Sequence, residues 1–251
     1  MMTCFEYTLI QKTKTEMHHL IAILLFTLLS APTLALTPYT AIYSTTSSGL
    51  SASTHTTLSP VDSSGQIELR SVSKAQGLTK LFKNDPIVEY TRFKEVNGKY
   101  YPIEYHYLFN NNGSKRDAWI IFDQKKLVAK SLYKAEIVKL DIQPAHVDRM
   151  LEQLIFRTDL MAGNVANKYL TVERNSLRES VYKKLGSEII KTEAGSFHTV
   201  KYSRQRIGSS RSLIIWFAPE LEYLPVRMQH FKENKITGSI TLKYYAIEKN
   251  N

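Results

Sequence analysis

Over most of its length the chain alternates polar and apolar residues with period two, and turn-forming residues punctuate the alternation. Leu50, Ala52, Thr54, Thr56 and Leu58 lead to a stop at Pro60, and Ile67 and Leu69 alternate with Glu68 and Arg70. Such segments predict half-buried strands, because successive side chains on a strand point to opposite faces. Asn97-Gly98 separates IVEYTRFKEV from KYYPIEYHYLF, and Asn-Gly suits the two positive φ angles of a type I′ hairpin turn. In the second of those strands Tyr101, Ile103, Tyr105, Tyr107 and Phe109 share one face, which is apolar and aromatic. Asn110 to Gly113 supplies a further polar turn, DAWIIFD follows, and Leu127 to Leu140 carries one or two more strands. With SFHTVKYSRQ, SLIIWFA, LPVRMQHF and ITGSITLKYYAI near the C-terminus, about a dozen strands are expected, in an antiparallel meander.

One segment changes period. From Ala145 to Met161, Val147, Met150, Leu151, Leu154, Ile155 and Leu160 recur at three and four, with Pro144 at the entrance and Gly163 just past the end. An amphipathic helix is predicted there. Its polar face carries Asp148, Glu152 and Asp159 beside Arg149 and Arg157, so it is not the cationic stripe of a membrane-surface helix. The helix is expected to pack on the sheet or plug it.

The N-terminus is of a different kind. Leu20 to Leu36 is an apolar run that follows Lys12 and Lys14 and ends in the small-residue sequence Thr33-Leu34-Ala35, the pattern of a secretory signal peptide. Its uninterrupted part, Leu20 to Leu29, is short for a spanning helix, and Pro32 follows. Residues 1–35 are expected to be cleaved, with 1–16 as an upstream extension if Met17 is the true start, leaving 36–251 as a single β-rich envelope domain. The lone cysteine, Cys4, departs with the leader, so the mature chain has neither a disulfide nor a thiol to lipidate.

The formal charge is +10, from 33 basic and 23 acidic residues. Lys12 and Lys14 cancel Glu6 and Glu16, so the excess belongs to the mature domain. In an exported protein this charge points away from nucleic acid and toward a lipid or another anionic envelope component, met peripherally. The basic-surface candidates are Lys183, Lys184, Lys201, Arg204 and Arg206. No G-x-S-x-G, H-E-x-x-H, P-loop or dinucleotide fingerprint is present, and no metal site, cofactor or catalytic residue is assigned. His106 and Glu104 share a strand face and are the first acid/base pair to test, although alternation alone produces such neighbours. Asn112-Gly113-Ser114 matches a glycosylation sequon, but turn chemistry accounts for it.

Thr192-Glu193-Ala194-Gly195-Ser196-Phe197 with Val200-Lys201, and Trp216-Phe217-Ala218-Pro219-Glu220-Leu221 with Leu224-Pro225-Val226, carry a family resemblance. They are similar to the "TPxGTF…VKV" and "WxAPDLxYLPV" signatures of the bacterial envelope family called domain of unknown function 3108. Leu151, Leu154, Arg157, Leu160 and Gly163 resemble its "LxxLR…L…G" stretch, and Gly77-Leu78 with Leu81-Phe82 its "GL…LF" element. Glu193 stands where the pattern prefers proline, and Gln143-Pro144 where Asp-Pro is usual. The resemblance covers Tyr39 to the C-terminus and implies a periplasmic, β-rich protein with no established activity. Thr192, Gly195, Phe197, Trp216, Pro219 and Pro225 are assigned structural roles within its motifs, with Gly195 in a tight turn and Trp216 as a core anchor.

The expected architecture is therefore mainly β: a curved antiparallel sheet or barrel, open or closed, with one main amphipathic helix. Tyr101, Ile103, Tyr105, Tyr107 and Phe109 line its concave side as ligand candidates. The leading function is a non-enzymatic envelope protein binding a lipid or other hydrophobic cargo. An enzyme acting on an envelope glycan or peptidoglycan, and a structural or assembly protein, stand as alternatives.

Overall fold

A computed structural model describes residues 36–81, 85–111 and 114–248. The expected leader and Asn112-Gly113 of the sequon lie outside the described residues. The first half of the chain forms β1 (Tyr39–Ser47), β2 (Leu50–Leu58), β3 (Ile67–Ala75), β4 (Ile87–Val96), β5 (Lys99–Asn111), β6 (Ser114–Asp123), β7 (Val128–Tyr133) and β8 (Glu136–Asp141). A two-residue strand, β9 (His146–Val147), and helix α1 (Arg149–Ala162) follow. The second half adds β10 (Tyr169–Glu173), β11 (Ser176–Thr192), β12 (Gly195–Arg206), β13 (Arg211–Ala218), β14 (Leu224–Lys232) and β15 (Lys235–Ile247). Asn97 and Gly98 have φ of 53° and 73°, the type I′ geometry expected of them.

All these strands belong to one sheet, in the order β8-β7-β6-β5-β4-β3-β2-β1-β15-β14-β13-β12-β11-β10-β9. Its middle joins the two ends of the domain, since Tyr39 pairs with Ile247 and Ser47 with Gly238. Each half is an up-and-down meander, and only the β9–β10 pair is parallel. The sheet curls without closing: its outermost strands, β8 and β9, are not hydrogen-bonded to each other. Across that seam the β10–β11 turn docks on the β7–β8 hairpin, with Asn175 N donating to Ser131 Oγ at 3.3 Å and Asn175 Nδ2 to the Glu136 carbonyl at 3.0 Å.

The helix begins at Arg149 rather than Ala145. His146 and Val147 are taken into the sheet beside β10, and Asp148 becomes the N-cap, accepting from the Met150 and Leu151 N–H groups at 2.9 and 3.1 Å. Gly163 ends the helix at φ 67°. The curled sheet wraps α1 on several sides. Leu151 and Leu154 pack with Tyr39, Ala41, Leu69 and Phe93, while Phe156 and Leu160 pack with Leu213, Ile215 and Phe217. Met150 also reaches the cluster of Tyr105, Ile120, Phe122, Ala129, Ile142 and Val172. The polar side of the helix is therefore not a solvated face: Asp148 and Glu152 are fully buried and Arg157 is 4% exposed. Each has an internal partner. Thr91 Oγ1 donates to Asp148 at 2.6 Å, Arg204 forks onto Glu152, and Arg157 Nε donates to the Glu222 carbonyl at 2.6 Å.

The aromatic stripe of β5 is split by a bulge. Thr91 faces Tyr105 and Arg92 pairs with Glu104, but Phe93 pairs with Pro102, so Ile103 is an extra residue on its strand. Beyond it the alternation inverts: Tyr100 packs edge-on against buried Phe93 at 5.9 Å, and Tyr101 faces outward, 37% exposed. The single face expected from Tyr101 to Phe109 thus does not exist, because strict period two fails wherever a residue is inserted.

Candidate functional site

With α1 filling the centre of the curled sheet, a cleft of about 820 Å³ opens at the seam. β5, β6 and β7 supply Tyr105, Tyr107, Asp117, Ala118, Trp119, Ile120, Ser131, Leu132 and Tyr133; β10 supplies Val172 and Glu173. The β7–β8 turn contributes Lys134 and Ala135, Arg174 comes from the opposing turn, and Arg149 from the first turn of α1. The walls are mainly apolar and aromatic, with Asp117 on β6 and further charged groups at one end of the helix and at the mouth. This mixture is the usual make-up of a small-molecule site, and the volume falls in the range of such sites.

Arg149 organises the polar part. Its Nε and Nη2 donate to Glu89 at 2.6 and 2.5 Å, Nε also reaches Tyr105 Oη at 3.0 Å, and Tyr105 Oη donates to Glu89 at 2.8 Å. The guanidinium lies 5.8 Å from the centre of the Tyr107 ring. Burial and the adjacent Glu89 push the Tyr105 hydroxyl far above the usual phenol range, so it stays a donor at any physiological pH. Burial also acts to raise Glu173, but Arg206, whose Nη1 lies 2.6 Å away, outweighs it and holds the carboxyl below the usual range. Glu173 therefore presents a carboxylate, not an acid. At the mouth, Lys134 and Arg174 each sit 5.7 Å from the Tyr133 ring centre.

The mouth is bordered by two turns with paired left-handed residues. Lys134 and Ala135 have φ of 53° and 63°, and Arg174 and Asn175 have 51° and 59°. Asn tolerates that left-handed region; Lys, Ala and Arg pay a steric cost there, and three such residues border the cleft. The same paired left-handed geometry recurs at Glu222-Tyr223 and Glu233-Asn234, away from the cleft, and the two turns at the mouth were not visible as turns in the sequence because they lack glycine.

Of the five aromatic and aliphatic ligand candidates, Tyr105 and Tyr107 line the cleft, whereas Tyr101, Ile103 and Phe109 do not. The basic candidates disperse. Lys183 and Lys184 are exposed on β11. Lys201 pairs with Glu188 at 3.0 Å and lies 4.9 Å from the Trp216 ring centre. Arg204 is no surface residue, since it turns inward to Glu152, and Arg206 is committed to Glu173. Arg149, Glu173, Arg174, Trp119 and Tyr133 were missed, because the seam that assembles them joins strands distant in sequence.

His106 and Glu104 do approach, at 3.2 Å, but as part of a lateral ladder on the face opposite Tyr105: Glu68 and Glu104 both accept from Arg92, and His106 stacks on Tyr90 at 4.8 Å. Neither lines the cleft. Among the described residues no group of three His, Cys, Asp or Glu side chains is placed to hold a metal ion, and no helix is long and apolar enough to cross a membrane.

The family-signature residues hold the C-terminal hairpins. Thr192 Oγ1 accepts from Ala194 N at 3.1 Å and donates to the Gly195 carbonyl at 3.2 Å. Gly195, at φ 141°, lies against the Phe197 ring, where an added Cβ would come within 3.4 Å. Trp216 is 4% exposed and its Nε1 donates to Glu188 at 2.7 Å. Pro219 opens the short 3-10 turn Pro219–Leu221, and Pro225 pairs with Phe217 at a bulge.

No curated protein sequence matches the chain. Among solved structures, it is similar to a β-barrel-like protein of domain of unknown function DUF1849 from Brucella abortus, with a TM-score of 0.56 at 11% identity over 86% of this chain and 100% of that one. Weaker likenesses are a Parabacteroides distasonis protein described as a candidate lipoprotein (TM-score 0.34, 10% identity, 84% of this chain and 96% of that one) and a Bacteroides fragilis protein described as a candidate exported protein with a YmcC-like fold (0.33, 9%, 84% and 96%). The first of these supports the barrel-like fold and says nothing of activity. The sequence model of the family described as "Protein of unknown function (DUF3108)" matches residues 38–244, which contain the whole sheet up to β15 and the helix within it, and the chain belongs to that family.

Proposed function

We propose that this chain is a non-enzymatic binding protein of the bacterial envelope, exported to the periplasm by its cleaved leader, and that it holds a small amphipathic molecule in the seam cleft. The cleft itself carries the reading: about 820 Å³ walled by Tyr105, Tyr107, Trp119, Ile120, Leu132, Tyr133 and Val172, with charged groups at Arg149, Asp117, Glu173 and the mouth. The cargo lies at the edge of the curled sheet, not at its centre, which α1 fills. Apolar walls would take an aliphatic or aromatic body, and the polar groups would orient it.

The test is direct. Mature protein purified without detergent is analysed by native and denaturing mass spectrometry for small molecules, and an environment-sensitive fluorescent fatty acid is titrated into it. Ala118→Trp fills the cleft from β6, so the parent should bind the fatty acid saturably and the variant at least about tenfold more weakly, a change of about 1.4 kcal/mol. Equal binding by the two proteins, or no co-purifying molecule and no saturable binding by the parent, overturns the reading. Export is checked by N-terminal sequencing of protein from a periplasmic extract, which should begin at Leu36.

A further inference from the structure

Beside the mouth of the cleft, the loop between β12 and β13 folds back over the start of β11. A second, smaller pocket of about 260 Å³ opens there, lined by Arg174, Arg178, Arg206, Ile207, Gly208, Ser209, Ser210 and Arg211. Four of its residues are arginine and none is acidic. They come from separate elements: the β10–β11 turn, β11, the end of β12 and the start of β13. The loop is held in place by its own bonds, with Ile207 N donating to the Glu179 carbonyl at 2.9 Å, Ser209 N to the Arg206 carbonyl at 3.1 Å, Gln205 Nε2 to the Ser209 carbonyl at 2.5 Å, and Arg211 N to Ser209 Oγ at 3.1 Å. The convergence is therefore built into the fold.

The charges are not balanced internally. Glu173 sits beside the pocket and accepts from Arg206 at 2.6 Å, with Arg174 at 3.6 Å. Among the described residues, neither Arg178 nor Arg211 has a carboxylate within 4.0 Å, and Glu179 is engaged by Lys168 at 3.1 Å. Register also places Lys232 opposite Arg211. Like charges gathered in this way repel, and a small multivalent anion relieves that repulsion while offering oxygens to several planar guanidinium forks at once.

We propose that Arg174, Arg178, Arg206 and Arg211 form a binding site for a phosphate group, either free or as the headgroup of an amphiphile. Arg174 lines both this pocket and the seam cleft, so a phosphate held here lies at the mouth of the space proposed for an apolar body. The phosphate site does not depend on the cleft reading; only the headgroup arm does.

Inorganic phosphate is titrated into the full mature protein by calorimetry at low ionic strength, with sodium acetate as the control for bulk charge. The test variant is Arg178→Gln with Arg211→Gln; both side chains are exposed, so their loss leaves no buried charge unpaired. The parent should bind phosphate saturably and more tightly than acetate, and the double variant at least about tenfold more weakly, with an unchanged circular dichroism spectrum and melting temperature. No saturable binding by the parent, or equal affinity in the two proteins, overturns the site. Dihexanoyl phosphatidic acid, compared with dihexanoyl phosphatidylcholine below their micellar concentrations, separates the sources. Tighter binding than inorganic phosphate, lost in Ala118→Trp, assigns a headgroup, and binding equal to inorganic phosphate assigns a free anion; both uphold the site. Since Ala118→Trp leaves the arginine pocket intact, it should bind inorganic phosphate like the parent, so a failure of the cleft reading is seen separately from a failure of this one.

Discussion

Removing the guanidinium of Arg204 puts the plugged architecture under direct test. Glu152, in the first turn of α1, is fully buried, and Arg204 on β12 meets it with two donors, Nε at 2.9 Å and Nη2 at a shorter contact. At a charge separation of about 4 Å and an effective dielectric constant of about 20, their attraction is roughly 4 kcal/mol. Arg204→Met keeps most of the apolar stem and leaves a carboxylate buried without its counter-ion, so a loss of about 3–5 kcal/mol is expected. Replacing both partners, as Glu152→Leu with Arg204→Met, removes the stranded charge and should restore all but about 1–2 kcal/mol of the parent stability. Urea unfolding followed by the fluorescence of Trp119 and Trp216 reads this. With a slope of about 3 kcal/mol per molar urea, a 4 kcal/mol loss lowers the midpoint by about 1.3 M. If Arg204→Met stays within about 1 kcal/mol of the parent, or the double variant is as unstable as the single one, the pair does not bind the helix to the sheet as argued.

Two further outcomes follow from buried and strained groups. Burial raises the Asp148 carboxyl to about 6, although Thr91 and the helix N–H groups act to lower it; the folded chain thus holds this proton more tightly than the unfolded one, and the group's contribution to stability falls as pH rises from about 4 to about 6, by roughly 3 kcal/mol. Asp148→Asn retains a capping side chain without the titration, so its stability relative to the parent should improve over that window, and a gap that stays constant between pH 4 and pH 7 refutes the assignment. In the β7–β8 turn, Ala135→Gly relieves a left-handed residue and should stabilise the fold by about 1 kcal/mol, seen as a melting temperature a few degrees higher; no change would mean that the turn carries no strain.

The strands and the helix were legible because their signals are local. Alternation at Leu50–Leu58, the Asn97-Gly98 turn and the three-and-four spacing of Leu151, Leu154 and Ile155 each depend on neighbours a few residues away. What failed was any inference that a local rule holds without interruption. One inserted residue at Ile103 turned Tyr101 outward and brought Tyr100 in. The mixed charges of the helix named no internal partners, since nothing nearby in sequence announces that Arg204 will arrive beside Glu152 from 52 positions away. The seam cleft was invisible for the same reason: Arg149, Tyr133 and Arg174 meet only after both meanders have curled around the helix. Family signatures, by contrast, marked residues such as Gly195 and Trp216 that secure the β11–β14 hairpins and do not line the cleft, which is why they pointed to the fold and not to the site.

The pairing of β1 with β15 bears on how such a chain is made. Every other neighbouring pair of strands on either side of it is a hairpin or a short crossover, available as soon as both strands exist, but this one brings residue 39 to residue 247 and lies at the middle of the sheet. Until the last strand has emerged, β1 keeps a bare edge and the two meanders have no common backbone. Because the contact that unites them spans nearly the whole domain, completion of the sheet is deferred to the end of synthesis and is slow once it begins. Hairpins within each meander can form early, but the two meanders cannot be joined into one sheet before residue 247 is present.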